Sequence, residues 1–201
     1  MATYSLKTPL SSEDVAKLRV GDTLYISGVV VSARDSAHKR MLEHIGRGEA
    51  LPVDLRGGVI YHAGPVVRKT ERGWEVISMG PTTSARMEAF EADVIERLGV
   101  KLVVGKGGMG RRTAEAMKKY TAAYAIFTGG AGVLAAKAIK RVVDVYWLDL
   151  GVAEAMWVLE VENFGPLTVM IDPTGRNYYD ELREEAKRRI PEILKSLEWP
   201  H

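Results

Sequence analysis

Residues Thr83–Phe127 read TSARMEAFEADVIERLGVKLVVGKGGMGRRTAEAMKKYTAAYAIF. From about Thr83 to Leu98 the spacing of apolar residues is helical, and Gly99 supplies a left-handed stop. Lys101–Val104 is a short apolar run of the kind a buried strand makes. Arg111–Tyr120 then reads as a polar-faced helix and Ala123–Phe127 as a further strand. Helices alternating with short buried strands predict an α/β fold, with helices covering a sheet.

The same reading extends in both directions. Upstream, Leu10–Arg19 is helix-like with Ser11 and Ser12 as cap candidates ahead of Glu13 and Asp14, and Val20-Gly21-Asp22 is a turn. Thr23–Ser32 (TLYISGVVVS) is rich in β-branched residues and predicts a strand, followed by a helix over Ser36–Arg47. Val59–Ala63 and Trp74–Met79 are short strands. Downstream, Gly129-Gly130 opens a helix to about Arg141, and Val142–Leu148, Met156–Val161 and Leu167–Ile171 read as strands. Tyr179–Glu198 is charged and amphipathic, a surface helix that Pro191 interrupts or restarts. With no linker, repeat or low-complexity tract, residues 1–201 are expected to form a single domain with a C-terminal helical appendage at about 179–198.

Composition narrows the chemistry. The 201 residues carry a net charge of +2, too small to argue for nucleic acid or a membrane surface as partner. No apolar run approaches the roughly 18 residues of a membrane span, and the N-terminus lacks the regions of a signal peptide, so a cytoplasmic location is expected. There is no cysteine, hence no disulfide, no thiolate for an iron–sulfur cluster and no cysteine nucleophile. The four histidines (His38, His44, His62, His201) show no metal-ligand spacing, so no metal is expected on this chain.

Three runs place cations and hydroxyls where strands turn into helices. In Gly80-Pro81-Thr82-Thr83-Ser84-Ala85-Arg86-Met87, Thr82 or Thr83 is positioned to cap the helix. Arg86, one turn on, equally gives the threonines a guanidinium on their own face, a set suited to a carboxylate. Gly105-Lys106-Gly107-Gly108 lacks the spacing of a P-loop. It reads either as a flexible turn or as a loop that lets backbone approach a ligand with the Lys106 ammonium aimed into the site. In Ser32–Arg40 (SARDSAHKR), Arg34 lies where a strand ends and Asp35 and Ser36 are expected to cap the next helix, with Arg34 pairing with Asp35, covering a surface or meeting a ligand. His38 reads as a hydrogen-bonded structural histidine. Three helix N-termini with cations beside them suggest a site for a small, multiply charged anion.

Together SARDSAHKR, LPVDLRGGVIYHAGP, GPTTSARM, GKGG, the Phe127–Gly132 turn and DLGVAEAMWVLEVENFGPLTVMID resemble the β-subunit of class I, iron–sulfur-dependent fumarate hydratases. The related β-subunit of L-tartrate dehydratase is similar. The resemblance runs from about Leu10 to Tyr179 and is most specific at GPTTSARM. It implies a swivelling α/β domain with a mixed sheet and flanking helices. It also implies reversible hydration of fumarate to (S)-malate, or dehydration of tartrate or a related 2-hydroxydicarboxylate. The partner would be a cysteine-bearing α-subunit whose [4Fe-4S] cluster holds the substrate hydroxyl. By the same resemblance Arg34, Arg86, Lys106 and Thr83 bind substrate, and Thr82 and Lys106 are catalytic, Thr82 matching a threonine proposed to abstract a proton. A lone threonine hydroxyl is a weak base and needs a neighbour that stabilises its alkoxide, for which Lys106 and Arg86 are at hand. The alternative of another class is a stand-alone anion-binding module on the same scaffold.

Overall fold

The computed structural model describes residues 1–71 and 73–196. The chain runs through β1 (Thr3–Lys7), α1 (Ser12–Ala16), β2 (Thr23–Ser32), α2 (Asp35–Gly46), β3 (Val59–Tyr61), β4 (Val66–Thr70) and β5 (Gly73–Ser78). A 3-10 turn (Ser84–Met87) leads straight into α3 (Glu88–Leu98), followed by β6 (Leu102–Gly105), α4 (Arg111–Tyr120) and β7 (Ala123–Ile126). Then come α5 (Gly132–Ala138), β8 (Ile139–Tyr146), β9 (Met156–Ile171) and α6 (Tyr178–Ser196). This is the mixed α/β architecture with flanking helices that the sequence leads one to expect.

The main sheet has the order β1-β2-β3-β6-β7-β9-β8, and β4 and β5 form a separate antiparallel pair. β1, β2, β3, β6 and β7 are parallel, while β9 runs antiparallel to β7 and β8. β9 also pairs antiparallel with β2, and Thr168 faces Thr23 of β2 on one edge and Ile126 of β7 on the other. The path β2-β3-β6-β7-β9 therefore closes on itself.

Closure sorts the side chains by parity, because successive residues of a strand face opposite ways. Ile26 and Val30, Val59 and Tyr61, Leu102 and Val104, Ala123 and Ala125, and Trp157, Leu159 and Val161 share one apolar cluster enclosed by the ring. The alternate residues Val31, Ile60, Val103, Tyr124 and Val158 join a second cluster with Ala37 and Met41 of α2, Val94 and Ile95 of α3, and Ala114 and Met117 of α4. Helices α2, α3 and α4 thus cover the outside of the ring. His62, next after inward Tyr61, falls on the helix side, as does Tyr124.

Local signals read well at several ends. Ser11 and Asp14 form a reciprocal capping box on α1, and Gly99 ends α3 in the left-handed region at φ 67°. Several elements differ from expectation. The helix after Gly129-Gly130 ends at Ala138 rather than near Arg141, because Ile139, Val142 and Val145 pair along β9 and pack on the enclosed core. The two strands expected over Met156–Val161 and Leu167–Ile171 are one strand. Asn163 at positive φ and bulges in the β2 pairing absorb the interruption. β1 and β4 carry no strong pattern of their own, and β1 is held by its parallel pairing to β2. The C-terminal helix begins at Tyr178 and contains Pro191, and positions 197–198 of its expected span lie outside the described residues. Among the described residues no helix is long and apolar enough to cross a membrane.

Candidate active site

Parallel register puts four strand ends at one level: Ser32 lies opposite Tyr61, Tyr61 opposite Val104, and Val104 opposite Ala125. Ligands of α/β sheets bind beyond the carboxyl ends of such strands. The residues that follow are Arg34 after β2, His62 after β3 and Lys106 after β6. The 81–87 segment is fastened across them. Pro81 bridges Ala63, and the Thr82 N–H donates to the His62 carbonyl at 2.7 Å. Thr83 bridges Lys106, and the Ser84 N–H donates to the Lys106 carbonyl at 2.9 Å. Residues up to 72 positions apart in the chain, Arg34 to Lys106, thereby share one rim.

All five residues singled out from the sequence stand on that rim. Arg86 is half-exposed and makes a two-pronged contact with Asp35, Nε to Oδ1 at 3.1 Å and the terminal nitrogen to Oδ2 at 2.8 Å. Since Asp35 adjoins Arg34, this contact ties the two arginine segments together. Arg34 pairs with Glu154 at 3.1 Å, and its buried Nε has no partner among the described residues. Lys106 is exposed and makes no ion pair among the described residues. Thr83 is exposed and Thr82 half-buried.

Three details correct the sequence reading. Arg34 pairs with Glu154, not Asp35. Thr83 occupies the cap position of the 3-10 turn without a side-chain cap bond, so the threonine hydroxyls are not used as caps there. Two of the three helix N-termini expected to welcome an anion, those of α2 and α4, already hold the chain's own carboxylates. Glu154 accepts from the Ser36 N–H at 3.0 Å, and Glu88 accepts from Gly110 N–H at 2.6 Å and from the Thr113 hydroxyl at 2.8 Å. The cations left at this rim are the two arginines, each paired with a carboxylate, and Lys106.

Beneath the rim lies a fully buried polar layer that sequence reasoning missed. His62 Nε2 is 2.8 Å from Glu91 Oε2, and His38 Nε2 is 3.3 Å from the same oxygen. His62 Nδ1 is 2.9 Å from Ser84 Oγ, which also receives the Lys106 N–H at 3.2 Å and lies 2.9 Å from Tyr124 OH. Tyr124 OH lies 2.8 Å from the Gly107 carbonyl, so its one proton is shared between that carbonyl and Ser84, and His38 Nδ1 donates to the Arg34 carbonyl at 2.9 Å. Burial would raise the Glu91 carboxyl, but the facing imidazoles outweigh it and hold it well below the usual carboxylate range. Burial pushes His62 down. For His38 the adjacent Glu91 charge overcomes burial and pushes it up. Of the two rings, His38 is thus the one whose charged form Glu91 favours, and His62 the one that burial holds toward the neutral form, with Nε2 on Glu91.

The expectation that the histidines form no ligand set is corrected too: ligand atoms of His38, His62 and Glu91 lie within 4.8 Å of one another. Their 2.8 Å contact is that of a direct hydrogen bond, with a proton where a cation would have to sit. An iron–sulfur cluster fits no residue of this chain, which has no thiolate to hold one.

The fumarase C-terminus family model matches residues 2–182, nearly the whole fold and every rim residue. The chain belongs to the fumarase C-terminus family. Within it, the chain is 46% identical over 197 residues to the L(+)-tartrate dehydratase subunit beta of Escherichia coli (strain K12), covering 98% of this chain and 96% of that one. It is 42% identical over 186 residues to the putative L(+)-tartrate dehydratase subunit beta of Methanocaldococcus jannaschii, covering 92% and 95%. It is also 37% identical over 194 residues to the putative fumarate hydratase class I of Geobacillus stearothermophilus, covering 96% of this chain but 37% of that longer relative.

The buried layer of this family member had one legible signal. Glu91 stands four residues after Met87 and four before Ile95, on the apolar stripe of α3, where an unpaired charge would be prohibitive. That position demands a partner. It does not say which, because His38 and His62 arrive from other elements.

Proposed function

We propose that the chain is the β-subunit of a two-subunit hydro-lyase that dehydrates a four-carbon 2-hydroxydicarboxylate, with L(+)-tartrate first in rank. The observation that carries the reading is the convergence of Arg34, Arg86, Lys106, Thr82 and Thr83 on one strand-end rim. Two guanidiniums and an ammonium suit two carboxylates. The order of substrates rests on the 46% identity to a tartrate dehydratase subunit against 37% to a fumarate hydratase. The fumarate–malate pair is the second reading, supported by the family model's match.

In such a dehydration a C–H bond next to one carboxylate breaks, the neighbouring C–O bond breaks, and water leaves. Charge accumulates on the carboxylate beside the carbanion carbon, so cations held there stabilise the transition state more than the substrate. Arg34 and Arg86 take the substrate carboxylates in place of Glu154 and Asp35. Thr82, as an alkoxide stabilised by Lys106 on the strand end that Thr83 bridges, takes the proton and passes it to the departing hydroxide, which leaves as water and restores the alkoxide. The cluster belongs in this proposal to the cysteine-bearing α-subunit, whose thiolates would hold it and where it would supply Lewis-acid polarisation of the departing hydroxyl.

The test is anaerobic co-purification of this chain with its α-subunit, followed by dehydration assays on L(+)-tartrate and (S)-malate. Turnover that requires both chains and favours tartrate is expected. Preference for malate would install the second reading. A chain that stays alone and binds dicarboxylates without turnover would replace both with the anion-binding module.

A further inference from the structure

We propose that Glu91, His62, Ser84 and Tyr124 form a buried relay of positioning residues that sets the Lys106 loop, and that the hydrogen bonds of this relay reverse direction with one proton. The inference rests on the proposed hydro-lyase reading for its kinetic consequences, but the relay itself stands on contacts within the chain. Neither Glu91, His62 nor Ser84 is exposed at all, so none of them touches a substrate.

One carboxylate holds the backbone of two rim cations. Glu91 holds His38, whose Nδ1–H holds the Arg34 carbonyl. It also holds His62, which holds Ser84 Oγ, the acceptor of the Lys106 N–H. Tyr124 extends the second branch to the Gly107 carbonyl, so the backbone on both sides of the Lys106 α-carbon is tied to the relay. Gly105 makes room for it. A Cβ there would collide with Ser84 Oγ and stand 3.1 Å from His62 Nδ1.

Proton counting gives the relay two states. With His62 neutral, its Nε2–H is spent on Glu91 and its Nδ1 must accept, so Ser84 donates to His62. Ser84 then accepts from Tyr124, whose single proton is drawn from the Gly107 carbonyl. With His62 protonated, Nδ1–H donates to Ser84, Ser84 donates to Tyr124, and Tyr124 gives its proton wholly to Gly107. The groups that face His62 and set this balance are Glu91 on α3, His38 and Asp35 on the first turn of α2, and Ser84, which Tyr124 of β7 contacts in turn. Burial favours the neutral state, so reversal falls on the acid side of the ordinary histidine range.

The test uses the assembled α–β complex carrying Ser84→Ala or Tyr124→Phe, neither of which leaves a buried charge unpaired. For Ser84→Ala, kcat/KM is expected to fall roughly tenfold to a hundredfold with assembly intact, the scale of a misplaced binding group. For Tyr124→Phe a smaller fall is expected, and the acid limb of the kcat/KM profile should move to lower pH, because protonated His62 needs Tyr124 to accept the Ser84 proton. A purely structural layer would lower the melting temperature without moving that limb. Values of kcat/KM within about twofold of wild type in both variants, or an unmoved limb, would overturn the proposal. Were the wild-type complex to turn over neither tartrate nor malate, the functional reading would fail alone. Hydrogen exchange at the Lys106 amide then decides the relay: faster exchange in Ser84→Ala supports it, and unchanged exchange overturns it.

Discussion

The rim and the layer beneath it use the same kinds of group for opposite ends. On the rim, Arg86 meets Asp35 with side-chain exposures of 50% and 30%, and a solvated ion pair of this sort is worth about 0–1 kcal/mol. Such a contact is easily exchanged for an incoming carboxylate. In the layer, Glu91, His38 and His62 are fully buried, and breaking a buried pair by removing one partner costs about 3–5 kcal/mol. Arg86 is therefore replaceable in its pairing, whereas the backbone of Arg34 and of Lys106 is tied to the buried layer.

The largest expected effect lies in the layer. Glu91→Gln removes the carboxylate that both buried imidazoles face and should lose about 3–5 kcal/mol in urea unfolding; a loss below about 1 kcal/mol would erase the contrast with the rim. Its pH dependence sharpens the point. Glu91 and His62 are both pushed down from their ordinary values of 4.5 and 6.5, so their stabilisation is present above those values and fades as the pH falls below them. His38 is pushed up from 6.5, so its contribution is full below that value and is lost as the pH rises through its folded value. Wild-type stability should accordingly peak near neutrality in melts across the pH range, and Glu91→Gln should flatten the alkaline decline.

On the rim the balance inverts. Arg86→Ala in the assembled complex should cost about 1.5–3 kcal/mol of transition-state binding, a roughly tenfold to hundredfold fall in kcat/KM, with stability within about 1 kcal/mol of wild type. A large loss of stability with unchanged turnover per assembled complex would reverse the roles assigned to the two regions. The smallest effect is expected away from both. Arg68→Ala removes an exposed pair with Glu75 on the β4–β5 hairpin and should change stability by less than about 0.5 kcal/mol.

What was legible in the sequence follows from the same division. Thr82, Thr83 and Arg86 sit within one short run, and Arg34 and Lys106 each follow a β-rich stretch, so contiguous motifs and strand ends revealed the whole rim. α4 was recovered to its termini because its punctuation is local, and α3 ends where Gly99 predicts. The layer was hidden because it is tertiary: Glu91, His62, His38, Ser84 and Tyr124 come from five segments, and no spacing relates them. Ser84 was read as one letter of a motif rather than as the acceptor joining His62 to Lys106. Helix termini misled for a related reason, since Glu88 and Glu154 reach Gly110 and Ser36 from 22 and 118 residues away. β9 defeated the strand reading because pairing on both edges outweighs the Asn163–Pro166 interruption.

The most direct test of the account is dehydration of L(+)-tartrate by the anaerobically co-purified α–β complex, compared at equal assembly between the wild-type chain and Arg86→Ala. Turnover that depends on this chain and falls roughly tenfold to a hundredfold in the variant is the predicted result. Equal turnover in the two complexes, or full turnover by the α-subunit alone, would contradict the claim that this rim is the carboxylate-binding half of the active site.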